Sequence, residues 1–270
     1  MIRWNFSSRA RELSGADAIV ISIPKSGRTW VRTFLNAYFA YKKGKQFSLN
    51  FTDRGENGVP RIVYSHDRFE DWTKGNPWDR LRGKYLIPRG SLRQAPIALL
   101  ARDPRDAFVS YFVQLTRRNP ATPPEIKGLS IGDLLRHPRY GIGTMVEVMN
   151  DWLEEFGGRS DFSIVRYEEL RADPARAFHE LLRAIGEKEI DDTVFGPALD
   201  FSDFRNMQKL EAAGEFGSKI LQPRDREDPE TFKVRQGKVG GFREYLSVHD
   251  QSYAAQVCAA LNQRFGYEIP

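Results

Sequence analysis

Apolar positions change period several times along the chain. Ala18 to Ile23 (AIVISI) is a continuous, β-branched run closed by Pro24, the pattern of a strand buried on both faces of a parallel sheet. From Trp30 the period turns helical, with Trp30, Val31, Phe34, Leu35, Tyr38 and Phe39 on one stripe, so Pro24 to Thr29 (PKSGRT) is predicted as a strand-to-helix loop. Arg61 to Tyr64 (RIVY), Pro96 to Ala101 (PIALLA) and Ser163 to Val165 (SIV) read as further strands. Asp103-Pro104 and Asp173-Pro174 each pair a capping carboxylate with a proline at the first helical position. Two more helical stripes run through Met145, Val148, Met149, Trp152 and Phe156, and through Ala254, Val257, Cys258, Leu261 and Phe265. The alternation predicts an α/β fold: right-handed βαβ units and a mainly parallel central β-sheet flanked by helices.

The 270 residues suffice for one large domain, taken as 1-270, and 40% hydrophobic with 29% charged residues is an ordinary globular composition. The net charge of +5 is spread without a block of like charges, which points to a small anionic ligand and no nucleic acid. Cys258 is the one cysteine, so an intrachain disulfide and a multi-cysteine metal site are excluded, and a reduced, cytoplasmic setting is expected. The longest apolar run falls far short of the roughly 18 residues of a membrane span, so no integral membrane segment and no export are expected. Gln222 to Gly241 is polar and follows neither period; residues 222-241 are read as a loop that covers a ligand.

The loop PKSGRTW offers Lys25, hydroxyls on Ser26 and Thr29, a glycine at Gly27, and a helix N-terminus whose N–H groups face the same space. Those parts make an anion cradle. A nucleoside triphosphatase would carry lysine directly after the last glycine and a hydroxyl for magnesium, whereas here lysine precedes glycine.

PKSGRTW closely resembles PKSGTTW, the 5′-phosphosulfate loop of sulfotransferases that use 3′-phosphoadenosine 5′-phosphosulfate (PAPS), with Arg28 as the one departure. ARDPRDAFVSYF is similar to that family's 3′-phosphate motif, onto which Arg102 and Ser110 fall, and VRQGKVGGF is similar to its RKGxxGDW loop through Arg235, Gly237 and Gly240. Tyr167 resembles the family's adenine-pocket tyrosine, and Ser202, Phe204 and Met207 resemble its adenine contacts before the covering loop. The resemblance implies a P-loop-like sulfotransferase fold, PAPS as co-substrate, adenosine 3′,5′-bisphosphate (PAP) as product and no metal. It also implies a nucleotide site made of Lys25, Ser26, Gly27, Arg28, Thr29, Trp30, Arg102, Ser110, Tyr167, Ser202, Phe204, Met207, Arg235, Gln236 and Gly237. Packing is the second reading for Trp30 and an equal alternative for Tyr167. Lys25 is implied as the group that stabilises the departing oxygen, and His66 in YSHDRF resembles the catalytic histidine of the family's KTHLP segment. Asp67 and Glu70 are rival bases. With His66 as base, kcat/KM is expected to fall below about pH 6.5, Asp67 moving that midpoint upward.

Departures from the family pattern are Gln236 in place of lysine and Gly241-Phe242 in place of Asp-Trp. Arg243, Ser247, Val248 and Ser252 follow the spacing of the family's dimer motif without its last glutamate, so a monomer or weak dimer is expected. The acceptor is expected to be a small or lipid-like hydroxyl compound, with Trp72, Trp78 and Phe112 suggesting an apolar or ring-bearing one. The rival readings are a small-molecule kinase in which Asp103 holds magnesium, and a non-catalytic nucleotide-binding relative.

Overall fold

The computed structural model describes residues 15–53, 55, 58–87, 95–214, 232, 234 and 237–268. Strands β1 (Ala18–Ser22), β2 (Ile62–Ser65), β3 (Ile97–Ala101) and β4 (Phe162–Arg166) form a sheet in the order β2-β1-β3-β4, and every pairing is parallel. Each lies within one residue of the strand predicted from the apolar runs. Helix α1 (Arg28–Lys42) follows β1, and α2 (Asp67–Lys74) and α3 (Pro77–Leu81) follow β2. Between β3 and β4 run α4 (Pro104–Val113), a π-helical continuation at Gln114–Arg118, α5 (Pro124–Lys127), α6 (Ile131–Leu135) and α7 (Ile142–Phe156). After β4 come α8 (Tyr167–Ala172), α9 (Pro174–Ala184), α10 (Asp192–Phe201), α11 (Phe204–Ala213) and α12 (Val248–Cys258).

Successive residues of a strand face opposite sides of its sheet, and β1 divides the core accordingly. Ile19, Ile21 and the following Ile23 pack with Phe108 of α4 and with Met149 and Trp152 of α7. Ala18 and Val20 pack with Phe34 of α1 and Phe178 of α9, two rings stacked at 4.1 Å. All these side chains are fully buried or nearly so, each phenylalanine contributing about 1.5–3 kcal/mol on burial. Both predicted caps are made: Asp103 accepts the Arg105 amide at 2.9 Å and Asp173 the Arg176 amide at 3.1 Å. Cys258 is buried in the same core as Trp152, as expected from its stripe.

The chain leaves β1 toward β2 on one side and returns to β3 on the other, so α1 and α4 cover opposite faces of the sheet. The loops after β1 and β3 therefore part above the strand ends. That crevice is where open α/β sheets bind ligands.

Candidate active site

The loop leaving β1 has an unusual backbone. Lys25 stands at φ 71° and Gly27 at φ 90°, in the left-handed region that favours glycine. Gly27 is required twice over, because a Cβ there would lie 2.7 Å from the Tyr167 ring. As N-cap of α1 it brings no side chain to cap the first turn, the arrangement in which helix N–H groups serve an anion. Ser26 is fully buried in the turn, behind the cavity wall, and its Oγ has no hydrogen-bond partner among the described residues. A buried hydroxyl left so costs about 1–3 kcal/mol. Lys25, Gly27, Arg28, Thr29 and Trp30 line a cavity of about 700 Å³.

Arg102 follows β3 and lines the cavity next to that loop. It donates to the carbonyl oxygens of Lys25 at 2.9 Å and Lys238 at 3.1 Å, and its guanidinium lies 4.3 Å from the Tyr167 ring centroid. Among the described residues two of a guanidinium's five donors are thus used, and Nε is buried without a partner. The remaining donors suit bidentate recognition of a phosphate. Ser110, Tyr167, Phe204, Met207 and Gly237 line the same cavity. The packing read for Trp30 is present, its ring lying edge-on to Tyr167 and Phe178, and the residue also lines the cavity, with Nε1 unpartnered among the described residues. Ser202 stays outside the wall, its hydroxyl donating to the Leu199 carbonyl at the end of α10. Arg235, Gln236 and residues 222–231 of the covering loop lie outside the described residues.

The sequence reading missed Asp106. Its carboxylate accepts the amides of Gly240 at 2.7 Å and Phe242 at 2.9 Å, pinning the end of the covering loop to the first turn of α4. Burial raises its pKa above the ordinary value, against the pull of Arg102 and those amides. A second acidic residue in RDPRD was the available signal, since a capped helix needs only Asp103.

His66 follows β2 as the N-cap of α2 and lines the cavity beside the loop that leaves β1. Its Nδ1 donates to the Ser22 carbonyl at 2.6 Å, which leaves Nε2 as the lone-pair nitrogen. Burial first and the neighbouring Arg28 second push its pKa down to about 3. The expected midpoint near 6.5, raised by Asp67, is therefore corrected. Asp67 turns into the core, where it accepts from the Ile87 amide at 2.6 Å and from Trp152 Nε1 at 3.0 Å. With both oxygens engaged away from the cavity, Asp67 is no rival base. Glu70, one turn on, does line the cavity and pairs with Lys74 at 3.1 Å.

The acceptor half of the cavity differs from the expectation of a tryptophan-lined pocket. Trp72, Trp78 and Phe112 are absent from its wall; Phe69, Glu70, Tyr111, Gln114, Arg139 and Tyr140 take their place. Gln114 gets there through the π-helical segment, whose wider turn is a common device at functional sites. Asp103, the magnesium ligand of the kinase reading, is bound by Arg105 at 2.7 Å.

A phosphate-cradling loop at a parallel-sheet switch point, faced by an arginine and a neutral imidazole, defines a nucleotide-dependent group transferase of P-loop-like architecture. Residues 16–266 match the sulfotransferase domain family model, and the chain belongs to that family. It is 25% identical to cytosolic sulfotransferase 13 of Arabidopsis thaliana over 260 residues, covering 90% of this chain and 75% of the relative. The amine sulfotransferase of Oryctolagus cuniculus is 23% identical over 255 residues, 88% of this chain and 77% of that one. Among solved structures, mouse sulfotransferase SULT7A1 complexed with PAP superposes with a TM-score of 0.60 at 14% identity, over 91% of this chain and 84% of the other. Retinol dehydratase with androsterone and PAP gives 0.56 at 15%, over 90% and 79%. No helix among the described residues is long and apolar enough to cross a membrane.

Proposed function

We propose that this sulfotransferase moves a sulfuryl group from PAPS to a hydroxyl of a small or lipid-like acceptor in the cytoplasm, without a metal. The observation that carries this reading is one cavity lined together by Lys25, Gly27, Arg102 and His66. The residues fit the donor: Trp30 Nε1 and Arg102 Nε, on residues that line the cavity, lack partners among the described residues, and the left-handed turn at Gly27 leaves room where any side chain would strike Tyr167. When bound, PAPS supplies the activated sulfuryl group.

In this reading, the α1 loop holds the 5′ end through Lys25, Ser26 and Thr29, Arg102 and Ser110 hold the 3′-phosphate, and Trp30, Tyr167, Phe204 and Met207 enclose the adenine. Lys25 places its ammonium where negative charge develops on the departing oxygen. His66 Nε2 takes the acceptor's proton, oriented by the Ser22 carbonyl, and its low pKa keeps it neutral and able to accept. The test is an acceptor screen of hydroxyl and amine compounds with PAPS supplied, read by mass spectrometry as a gain of about 80 Da, the mass of SO₃, in the presence of a chelator. Calorimetry with PAP checks the donor site independently. A chain that binds no PAP, or that needs magnesium for turnover, overturns the proposal.

A further inference from the structure

Of the five large apolar side chains exposed among the described residues, three stand within ten positions: Trp72 at 42%, Trp78 at 61% and Leu81 at 72%. Trp78 and Leu81 are three apart on α3 and share a face of it. Basic groups rim them: the Arg80 guanidinium lies 5.0 Å from the Trp72 ring centroid, and that of Arg82 lies 5.4 Å from Trp78. Lys74 and Lys84 are exposed as well. The acidic residues of the stretch are withdrawn. Asp79 is buried beneath Arg82 and Lys84, Asp71 is partly covered, and no exposed residue from Trp72 to Lys84 carries negative charge. Thr73 and Lys74, inside this patch, also line the cavity, and Arg139 of the cavity wall donates to the carbonyls of Trp72 at 2.6 Å and Gly75 at 3.1 Å.

We infer that the α2–α3 face is a docking surface for an anionic lipid bilayer, and that it sets the rim of the acceptor cavity against the headgroup layer. Exposed indole rings ringed by arginine and lysine match the bilayer interface, where the rings sit at headgroup depth and the cations meet lipid phosphates. A second copy of the chain fits worse: an isologous contact would set this basic patch against itself. The delivery of a lipid-borne acceptor to His66 rests on the sulfotransferase reading, whereas the docking does not.

The experiment is sedimentation with phosphatidylcholine vesicles, with and without about a third of phosphatidylglycerol, on the whole protein and on Trp78→Ala/Leu81→Ala. The wild type should bind the anionic vesicles, with a blue shift of indole emission and weakening as salt rises. The double variant should bind roughly tenfold or more weakly while keeping its far-ultraviolet dichroism and its calorimetric affinity for PAP. Absence of wild-type binding, or equal binding by the variant, overturns the inference. So does a concentration-dependent dimer in ultracentrifugation that the variant abolishes, which would make the patch a self-association face. Loss of PAP binding in the wild type would instead overturn the sulfotransferase reading and leave the vesicle result standing.

Discussion

His66 combines a fixed tautomer with a strongly lowered pKa, and both come from its neighbours. The Ser22 carbonyl demands a proton on Nδ1, and burial beside Arg28 resists a second one on Nε2. His66→Ala should lower turnover by about 10²–10⁴ while donor affinity, measured by calorimetry, stays near that of the wild type. The pH profile is the sharper test, because kcat/KM for the donor reports ionisations of the free enzyme. No decline centred near 6.5 is expected; the rate constant should hold on the acid side until the fold itself is lost. Asp67 presents the opposite case, a carboxylate beside the site with a structural task. Asp67→Asn turns one acceptor oxygen into a donor facing either the Ile87 amide or the Trp152 indole N–H, so unfolding in urea should show a loss of about 1–3 kcal/mol. Turnover of the folded fraction should persist. A dead but fully stable Asp67→Asn would return the base to that carboxylate.

At the scale of elements, the site depends on how loops are held to the sheet. The β1–α1 loop is held by its own backbone and by Tyr167, while the loop containing Gly240 is held from outside by Asp106 on α4. Asp106→Ala frees both amides and also the Lys238 stretch whose carbonyl meets Arg102. Donor affinity should fall by roughly 1.5–3 kcal/mol, the range for hydrogen bonds to a charged group, although Asp106 is assigned no donor contact. Comparison of PAP with the analogue lacking the 3′-phosphate separates this from Arg102→Ala. Loop loosening weakens both ligands together, whereas loss of Arg102 penalises PAP more. The same scale explains which readings failed: no stripe or cap announced α2 or α3, and the local pattern could not tell that Trp72 and Trp78 are exposed while Gln114 of the π-helical turn lines the cavity.

For the whole molecule, His66 also couples folding to pH. Its folded pKa of about 3 lies below the ordinary 6.5 of an unfolded chain, so on acidification the unfolded state takes up a proton the native state refuses. The stability this group contributes is complete above about pH 6.5 and declines below it, toward pH 3, by up to about 1.4 kcal/mol per pH unit. Burial shifts Asp106 and Glu168 upward, which acts in the opposite sense, but those groups are common to wild type and variant. Urea midpoints between pH 7 and 4 should therefore fall less steeply for His66→Asn than for the wild type; parallel curves would contradict the low pKa.

Local chemistry determined much of this protein in advance. Apolar runs, the Trp30–Phe39 stripe and Asp-Pro caps located the strands of the described sheet and helices α1, α4 and α9, because burial on both faces of a sheet and helix capping leave their mark on neighbouring residues. PKSGRTW and ARDPRD were legible for the same reason: a tight left-handed turn and a strand-end arginine are each confined to one short segment. What only the tertiary structure decided were relations between distant segments. Trp30 was packed edge-on against Tyr167 and Phe178, Asp67 was turned inward by Ile87 and Trp152, and Asp106 was bound to Gly240 and Phe242. The pKa of His66 belongs with these, since desolvation and the charge of Arg28 are properties of the assembled cavity and have no trace in the sequence around the histidine.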